Sequence, residues 1–358
     1  MFSLSNLGFG PDFQSQFDTL SDSSLVPARV ALEHGSRYLT FTSAGEAEAV
    51  LSGRFSFTAE DKPTVGDWVA LQPGQPARIV HLLQRRTWIV RQSAGRRTHA
   101  QLLAANVDKV FVVTSAGHDF NPRRIERYLV AVQGGGAEPI VVVNKADLVS
   151  DVASLVAGLG AVAPGVPVLA VSALHASGLE ALRVHLHAGC TVAVVGSSGV
   201  GKSTLINRLL GAEVLATGEV LEVDERGRHT TTHRQLLPVP LENGAQALLV
   251  DTPGLRELQL WAQTSSLAGV FADIEALAAE CRFRDCTHAH EPGCVVREAV
   301  ARGELDEARL SSLHKLVREQ AHQAARQDGW ARQEQRRKEK QFGRMGREIS
   351  RLHPKRRK

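Results

Sequence analysis

The chain has 358 residues, 43% hydrophobic and 22% charged, the composition of a globular protein long enough for two or three domains. No apolar run reaches the roughly 18 residues of a membrane span, and the N-terminus "MFSLSNLGFGPDFQSQF" lacks a basic start and a continuous apolar segment, so a membrane protein and a secretory signal are both unexpected and a cytoplasmic location is expected. The net charge of +4 hides an asymmetry, because residues 336–358 carry eleven Lys or Arg against two Glu, a local +9 that leaves −5 for the rest.

Residues 1–27, rich in Ser, Asp, Phe and Gly without a period, are expected to form a poorly ordered arm. Residues 28–97 contain short β-type runs, among them "ARVALEHGSRYLTFTSAG", "VGDWVALQ" and "ARIVHLLQRRTWIVRQ", separated by Gly and Pro clusters. About five strands in so short a span suggest a small barrel of SH3 or OB type. Arg85, Arg86, Arg91, Arg96 and Arg97 gather at its far end, as an RNA-facing surface or a solvated basic edge.

From residue 98 to 262 the runs "KVFVVTS", "PIVVVNK", "PVLAVSA", "TVAVVGS" and "ALLVDTP" are almost continuously apolar. Strands of that kind belong to a parallel sheet covered on both faces, so an α/β domain is expected. "NPRRIERYLVAVQ" fits a crossover helix with Ile125, Tyr128, Leu129 and Val132 on one face. Residues 263–320 turn helical and hold a Cys/His cluster, and residues 321–358 form a basic tail, helical at first and then frayed. The tail is either a solvated segment or an attraction to a polyanion such as RNA.

"GSSGVGKS" matches the phosphate-binding loop, with a strand before it and the helical "TLINRLL" after it. Gly196, Ser197, Ser198, Gly199, Val200 and Gly201 would turn their amides toward the phosphates. Lys202 would reach the β and γ phosphates and Ser203 would ligate Mg²⁺, with Thr204 beside them at the start of the helix. "DTPG" ends a later strand, where Asp251 suits the Mg²⁺ and the Gly254 amide the γ phosphate. Between these lies "GRHTTTHR", in which one of Thr230, Thr231 or Thr232 should ligate Mg²⁺, Thr231 being favoured.

"NKAD" supplies base selection: Asp147 can accept from guanine N1–H and N2–H₂ together, Lys145 packs along the base or ribose, and Asn144 ties the loop to the phosphate side. Ser172 and Ala173 of "VSAL" form the companion loop, in which the Ala173 amide would donate to guanine O6. These base loops precede the phosphate loop and both switches, the reverse of the usual order. Chain ends of compact domains lie close together, so joining old ends and cutting elsewhere preserves the sheet. The order therefore reads as a circularly permuted GTPase.

Leu255 follows the second switch where Ras-type enzymes carry the Gln that orients water, so slow turnover is expected, with the missing group supplied by a partner or by a switch residue such as His229. Leu255 thus also keeps open a non-catalytic RNA-binding scaffold in which GTP only stabilises the fold. In "CRFRDCTHAHEPGC", Cys281, Cys286, His288 and Cys294 make a closed tetrahedral set for one structural Zn²⁺, with His290 as the weaker alternative to His288.

Together "VGDWV", "AANVDKVFVVTS", "FNPRRIERYL", "NKADL", "GSSGVGKSTLIN", "GRHTTTHR", "DTPGLRE" and the Cys/His spacing resemble the RsgA (YjeQ) family of ribosome small-subunit-dependent GTPases, over about residues 28–320. The resemblance implies an N-terminal OB fold, a central permuted GTPase domain and a C-terminal zinc domain. It further implies binding to the 30S subunit and its 16S rRNA in late assembly, GTP hydrolysis stimulated there, and help in releasing an assembly factor. Nothing in the sequence suggests a dimer seam, so a monomer is expected.

Overall fold

The computed structural model describes residues 2–53, 62–92, 100–117, 120–213, 234–242, 244–251, 267–322 and 325. Met1–Glu298 forms one compact unit and Ala299–Lys358 a second. No described helix is long and apolar enough to cross a membrane.

The N-terminal arm is the first correction. Helix α1 (Pro11–Asp18) starts with proline at its first position, where the missing N–H costs nothing and the ring pre-sets φ. Leu7 and Phe13 are fully buried, and the Phe9 and Phe13 rings lie 4.8 and 5.8 Å from the Trp68 ring. The segment is ordered because its aromatic residues find an apolar partner within the same chain, which its composition did not reveal.

Five strands follow: β1 (Val26–His34), β2 (Arg37–Thr42), β3 (Gly45–Leu51), β4 (Trp68–Gln72) and β5 (Ala77–Leu82). Their order β1-β2-β3-β5-β4 closes through a β1–β4 pairing, with β3 and β5 parallel, so they make a barrel. Its core holds Ala28, Val30, Tyr38, Val69, Leu71 and Ile79. Arg29 points out of β1 and is nevertheless buried, its guanidinium donating to the carbonyls of Leu7, Gly66 and Asn106. Burial lowers this group to about 10, so it remains charged at neutral pH while fastening arm, barrel and following segment.

Strands β6 (Trp88–Gln92) and β7 (Ala100–Ala105) pair antiparallel as a separate ribbon. The expected boundary at 97/98 therefore passes between two paired strands. The main sheet then adds β8 (Lys109–Ser115), β9 (Glu138–Asn144), β10 (Val168–Ala170), β11 (Thr191–Gly196), β12 (Gln235–Pro240) and β13 (Gln246–Asp251). Strands β10, β9, β8, β11 and β13 run parallel in that order, and β12 lies next, antiparallel to β13. The central runs are buried on both faces, as expected for strands sandwiched by helices.

Helix α2 (Pro122–Gly134) packs on β8 and β9 and buries Ile125, Tyr128, Leu129 and Val132. It is capped by the Asn121 side chain, which accepts from the Arg123 and Arg124 amides. Helices α3 (Val152–Val162), α4 (Leu179–Arg183) and α5 (Lys202–Leu210) complete the layers, and α5 buries Leu205, Ile206 and Leu209. Through Leu32 and Gln235, β1 of the barrel meets β12 of the main sheet, so both belong to the one unit.

Short helices α6 (Leu267–Val270), α7 (Ala272–Ala278) and α8 (Val295–Ala301) follow. The Cys/His segment belongs to the first unit. The second is helical over residues 307–322 and buries Leu305, Leu310 and Leu316.

Candidate nucleotide site and metal centre

The phosphate-type loop runs from the end of β11 to the start of α5. Its two structural glycines have different reasons. Gly196 has φ +148 and passes so close to the Val113 carbonyl that a Cβ would collide with it. Gly201, at φ +90, passes the Asn144 carboxamide equally closely and has no side chain with which to cap α5. The first-turn amides of α5 thus face the loop with the positive end of the helix behind them, an arrangement suited to an anion. Lys202 folds back to donate to the Ser197 carbonyl, and Arg124 of α2 donates to the Ser197 hydroxyl. Val200 is tucked into the sheet core, while Ser198 and Gly199 are exposed at the loop tip.

Asn144 ends β9 beside this loop and is 2% exposed. Its Nδ2 donates to the Val200 carbonyl at 2.8 Å and its Oδ1 accepts from the Ala173 amide at 3.0 Å. The permuted chain thus brings base-loop and phosphate-loop residues together at a single side chain. Lys145 follows at φ 59, a left-handed conformation that turns the chain into the 3₁₀ turn Ala146–Leu148 and carries Asp147 outward. The Ser172 hydroxyl hydrogen-bonds the Asp147 carboxylate, and His175 Nε2 lies 3.9 Å from it. Ser172 and Ser177 exchange backbone hydrogen bonds of 3.0 and 3.1 Å, closing the companion loop. The Ala173 amide, expected to face guanine O6, here donates to Asn144.

Sequence reasoning missed Arg208, seven residues into α5, whose Nε and Nη2 donate to the Ala173 and Leu174 carbonyls at 3.0 and 3.1 Å. Nothing in the linear pattern of "TLINRLL" marks it. Ser203 lies in the first turn of α5, and Asp251 ends β13, the neighbour of β11. Hydroxyl and carboxylate oxygens are the hard donors that Mg²⁺ takes, so these two residues fit that ion. His229, Thr230, Thr231, Thr232, Gly254 and Leu255 lie outside the described residues.

Of the basic residues at the barrel's end, Arg85 pairs at 2.7 Å with the buried Asp67. Arg86 lies 3.4 Å from Asp108 and stacks over Phe13. Arg91 donates to Gln101, and Arg96 and Arg97 lie outside the described residues.

Cys281, Cys286, His288 and Cys294 bring their ligand atoms within 4.8 Å of one another. A tetrahedral ion with Zn–S near 2.3 Å and Zn–N near 2.05 Å needs S···S of about 3.8 Å and S···N of about 3.6 Å. The Cys281–Cys294 sulfurs are 3.9 Å apart, and His288 Nδ1 lies 3.7 Å from Cys281 Sγ and 3.4 Å from Cys294 Sγ. His288 reaches this position through a left-handed φ of 58. Glu291 braces the loop by accepting from the Thr287, Ala289 and His290 amides, each between 2.9 and 3.0 Å. The donor set and spacing fit a closed metal site.

A family model described as RsgA GTPase matches residues 82–261. Similar to this chain is the "Small ribosomal subunit biogenesis GTPase RsgA" of Opitutus terrae, 46% identical over 340 residues, which cover 91% of this chain and 92% of that protein. The crystal structure of YjeQ from Thermotoga maritima matches with a TM-score of 0.62 at 28% identity, covering 83% of this chain and 99% of that one. The crystal structure of YloQ, described as a circularly permuted GTPase, shares the fold with a TM-score of 0.59 at 21% identity, over 85% of this chain and 97% of that one.

Proposed function

This chain belongs to the RsgA GTPase family and is a circularly permuted GTP hydrolase, and from that premise we propose that it binds the 30S ribosomal subunit through 16S rRNA and assists its late maturation. Its place in ribosome biogenesis follows its relatives; the finer steps are our reading. On that reading it turns over GTP slowly alone and faster on the subunit, helps to release an assembly factor, and works in the cytoplasm as a monomer.

The observation that carries the site is the double hydrogen bond of Asn144, which joins the loop suited to phosphate to the loops suited to guanine. Gly196–Thr204 would hold the phosphates, and Lys202 would exchange the Ser197 carbonyl for phosphate oxygens. Asp147 would accept from guanine N1–H and N2–H₂, while Lys145 lies along the base. For Ala173 to read O6, its amide would be shared with or released by Asn144. Mg²⁺, held by Ser203, Asp251 and one of the 230–232 threonines, would neutralise charge that builds on the phosphate oxygens. Thr231, His229 and Gly254 keep their proposed roles at the switches. Zn²⁺ in the Cys281–Cys286–His288–Cys294 set would be structural, since three thiolates and an imidazole leave no open position. The barrel, taken as OB-type, the zinc knuckle and the basic tail would supply the RNA contacts.

The test is GTP hydrolysis by purified protein, alone and with 30S subunits, with ATP as control. Turnover of GTP but not ATP that rises at least tenfold with subunits is expected. An unchanged rate would remove the subunit-dependent part of the proposal.

A further inference from the structure

The loop Ser172–Ser177 is held from both sides. Asn144 takes the N–H of Ala173, and Arg208 takes the C=O of Ala173 and of Leu174. Both anchors lead to the same body: Asn144 also binds the Val200 carbonyl in the phosphate-type loop, and Arg208 rides on α5, the helix that loop begins. Arg183, the last residue of α4, donates in turn to the Arg208 carbonyl at 3.2 Å, so the segment leaving the base loop is tied to the same helical turn. Ala176 sits at a left-handed φ of 55 within the loop, and such a turn keeps its shape only where its surroundings hold it. A planar guanidinium aimed at two successive carbonyls fixes their direction in a way one ammonium cannot.

We propose that Arg208 is a positioning residue for guanine recognition: it fixes the Ala173–Leu174 peptides relative to the phosphate-type loop, so that the Ala173 amide, shared with or released by Asn144, meets the O6 edge of the base while the phosphates are held. This rests on the reading of Ala173 as the O6 donor. Arg208 acts through the loop carbonyls it holds, not by contact with base or phosphate, in this proposal. The charge on its guanidinium strengthens both bonds relative to neutral donors.

The experiment measures equilibrium binding of three triphosphates to wild-type, Arg208→Ala and Arg208→Lys full-length protein, with thermal melts to verify folding. GTP carries every recognition group, ITP lacks only the N2 amine that faces Asp147, and the triphosphate of 2-aminopurine riboside lacks O6 together with the N1 proton. Arg208→Ala is expected to shrink the preference for GTP over the 2-aminopurine analogue about fivefold, the scale of one net hydrogen bond. Its preference for GTP over ITP should hold, and Arg208→Lys should fall between. Equal loss for all three nucleotides, or unchanged ratios, would overturn the inference and leave Arg208 a purely structural residue. A wild-type protein that fails to prefer GTP over the 2-aminopurine analogue would instead remove the O6 reading of Ala173, and the inference with it.

Discussion

At Asp147 the carboxylate is held below the ordinary carboxylate range, first by the Ser172 hydroxyl and then, against some desolvation, by its own backbone amide, His175 and Lys145. A depressed folded-state pKa means the acceptor stays ionised as pH falls past about 3.9 and loses its charge only below that. Wild-type protein should therefore keep its guanine preference to a lower pH than Ser172→Ala, in which the midpoint of lost GTP-over-ATP preference moves upward. Binding titrations across pH check the direction. Asp147→Asn should weaken GTP about 100-fold, since two charge-assisted bonds disappear, and improve XTP, whose C2 oxygen can accept from the new amide. Asp147 was legible in the sequence because "NKAD" is contiguous. Its partners Ser172 and His175 are near in space but come from another loop, and only folding reveals the hydrogen bond.

Among the elements, α1 shows how burial overrides composition. Phe13 is fully buried against Trp68 and Arg86, so Phe13→Ala should lower unfolding free energy by about 3 kcal/mol, read as a shifted urea midpoint at unchanged slope. The proposed metal knuckle depends on spacing instead, and the four residues that converge there were readable from the chain. Cys286→Ala should take zinc content from one per chain to near zero by atomic absorption, with GTP affinity little changed. Glu291→Gln should lower zinc affinity about tenfold, because Glu291 fixes the loop that carries His288. The buried strands β8, β9, β11 and β13 were legible as Val/Leu runs, since a strand covered on both faces has no polar side to show. Strand β12 was not, for its two prolines and only partial burial leave no such signature.

At the scale of the molecule, charge is divided between a mildly acidic body and the +9 segment 336–358. If that segment meets rRNA phosphates, ending the chain at residue 335 should reduce the slope of log affinity against log salt for 30S binding, by about 0.9 for each phosphate the segment neutralises. An unchanged slope would assign the tail no part in binding. The barrel and the main sheet belong to one unit, joined through β1 and β12. Arg234, next to that junction, donates to the Leu102 carbonyl at 2.9 Å and lies 4.0 Å from Glu33.

The sequence by itself determined the chemistry that is written locally: the Gly-rich loop with its lysine, the tetrad proposed to read guanine, their permuted order and the Cys/His spacing. Each depends on a few contiguous residues whose backbone freedom or donor set is fixed by residue type. The tertiary structure decided what depends on distant neighbours. It docks the aromatic arm on Trp68, buries the Arg29 cation among three carbonyls, pairs β6 with β7 across an expected boundary, and sets Arg208 on the Ser172–Ser177 loop. A buried charge or an ordered arm is stable only when partners from elsewhere in the chain satisfy it, and those partners have no fixed spacing along the sequence.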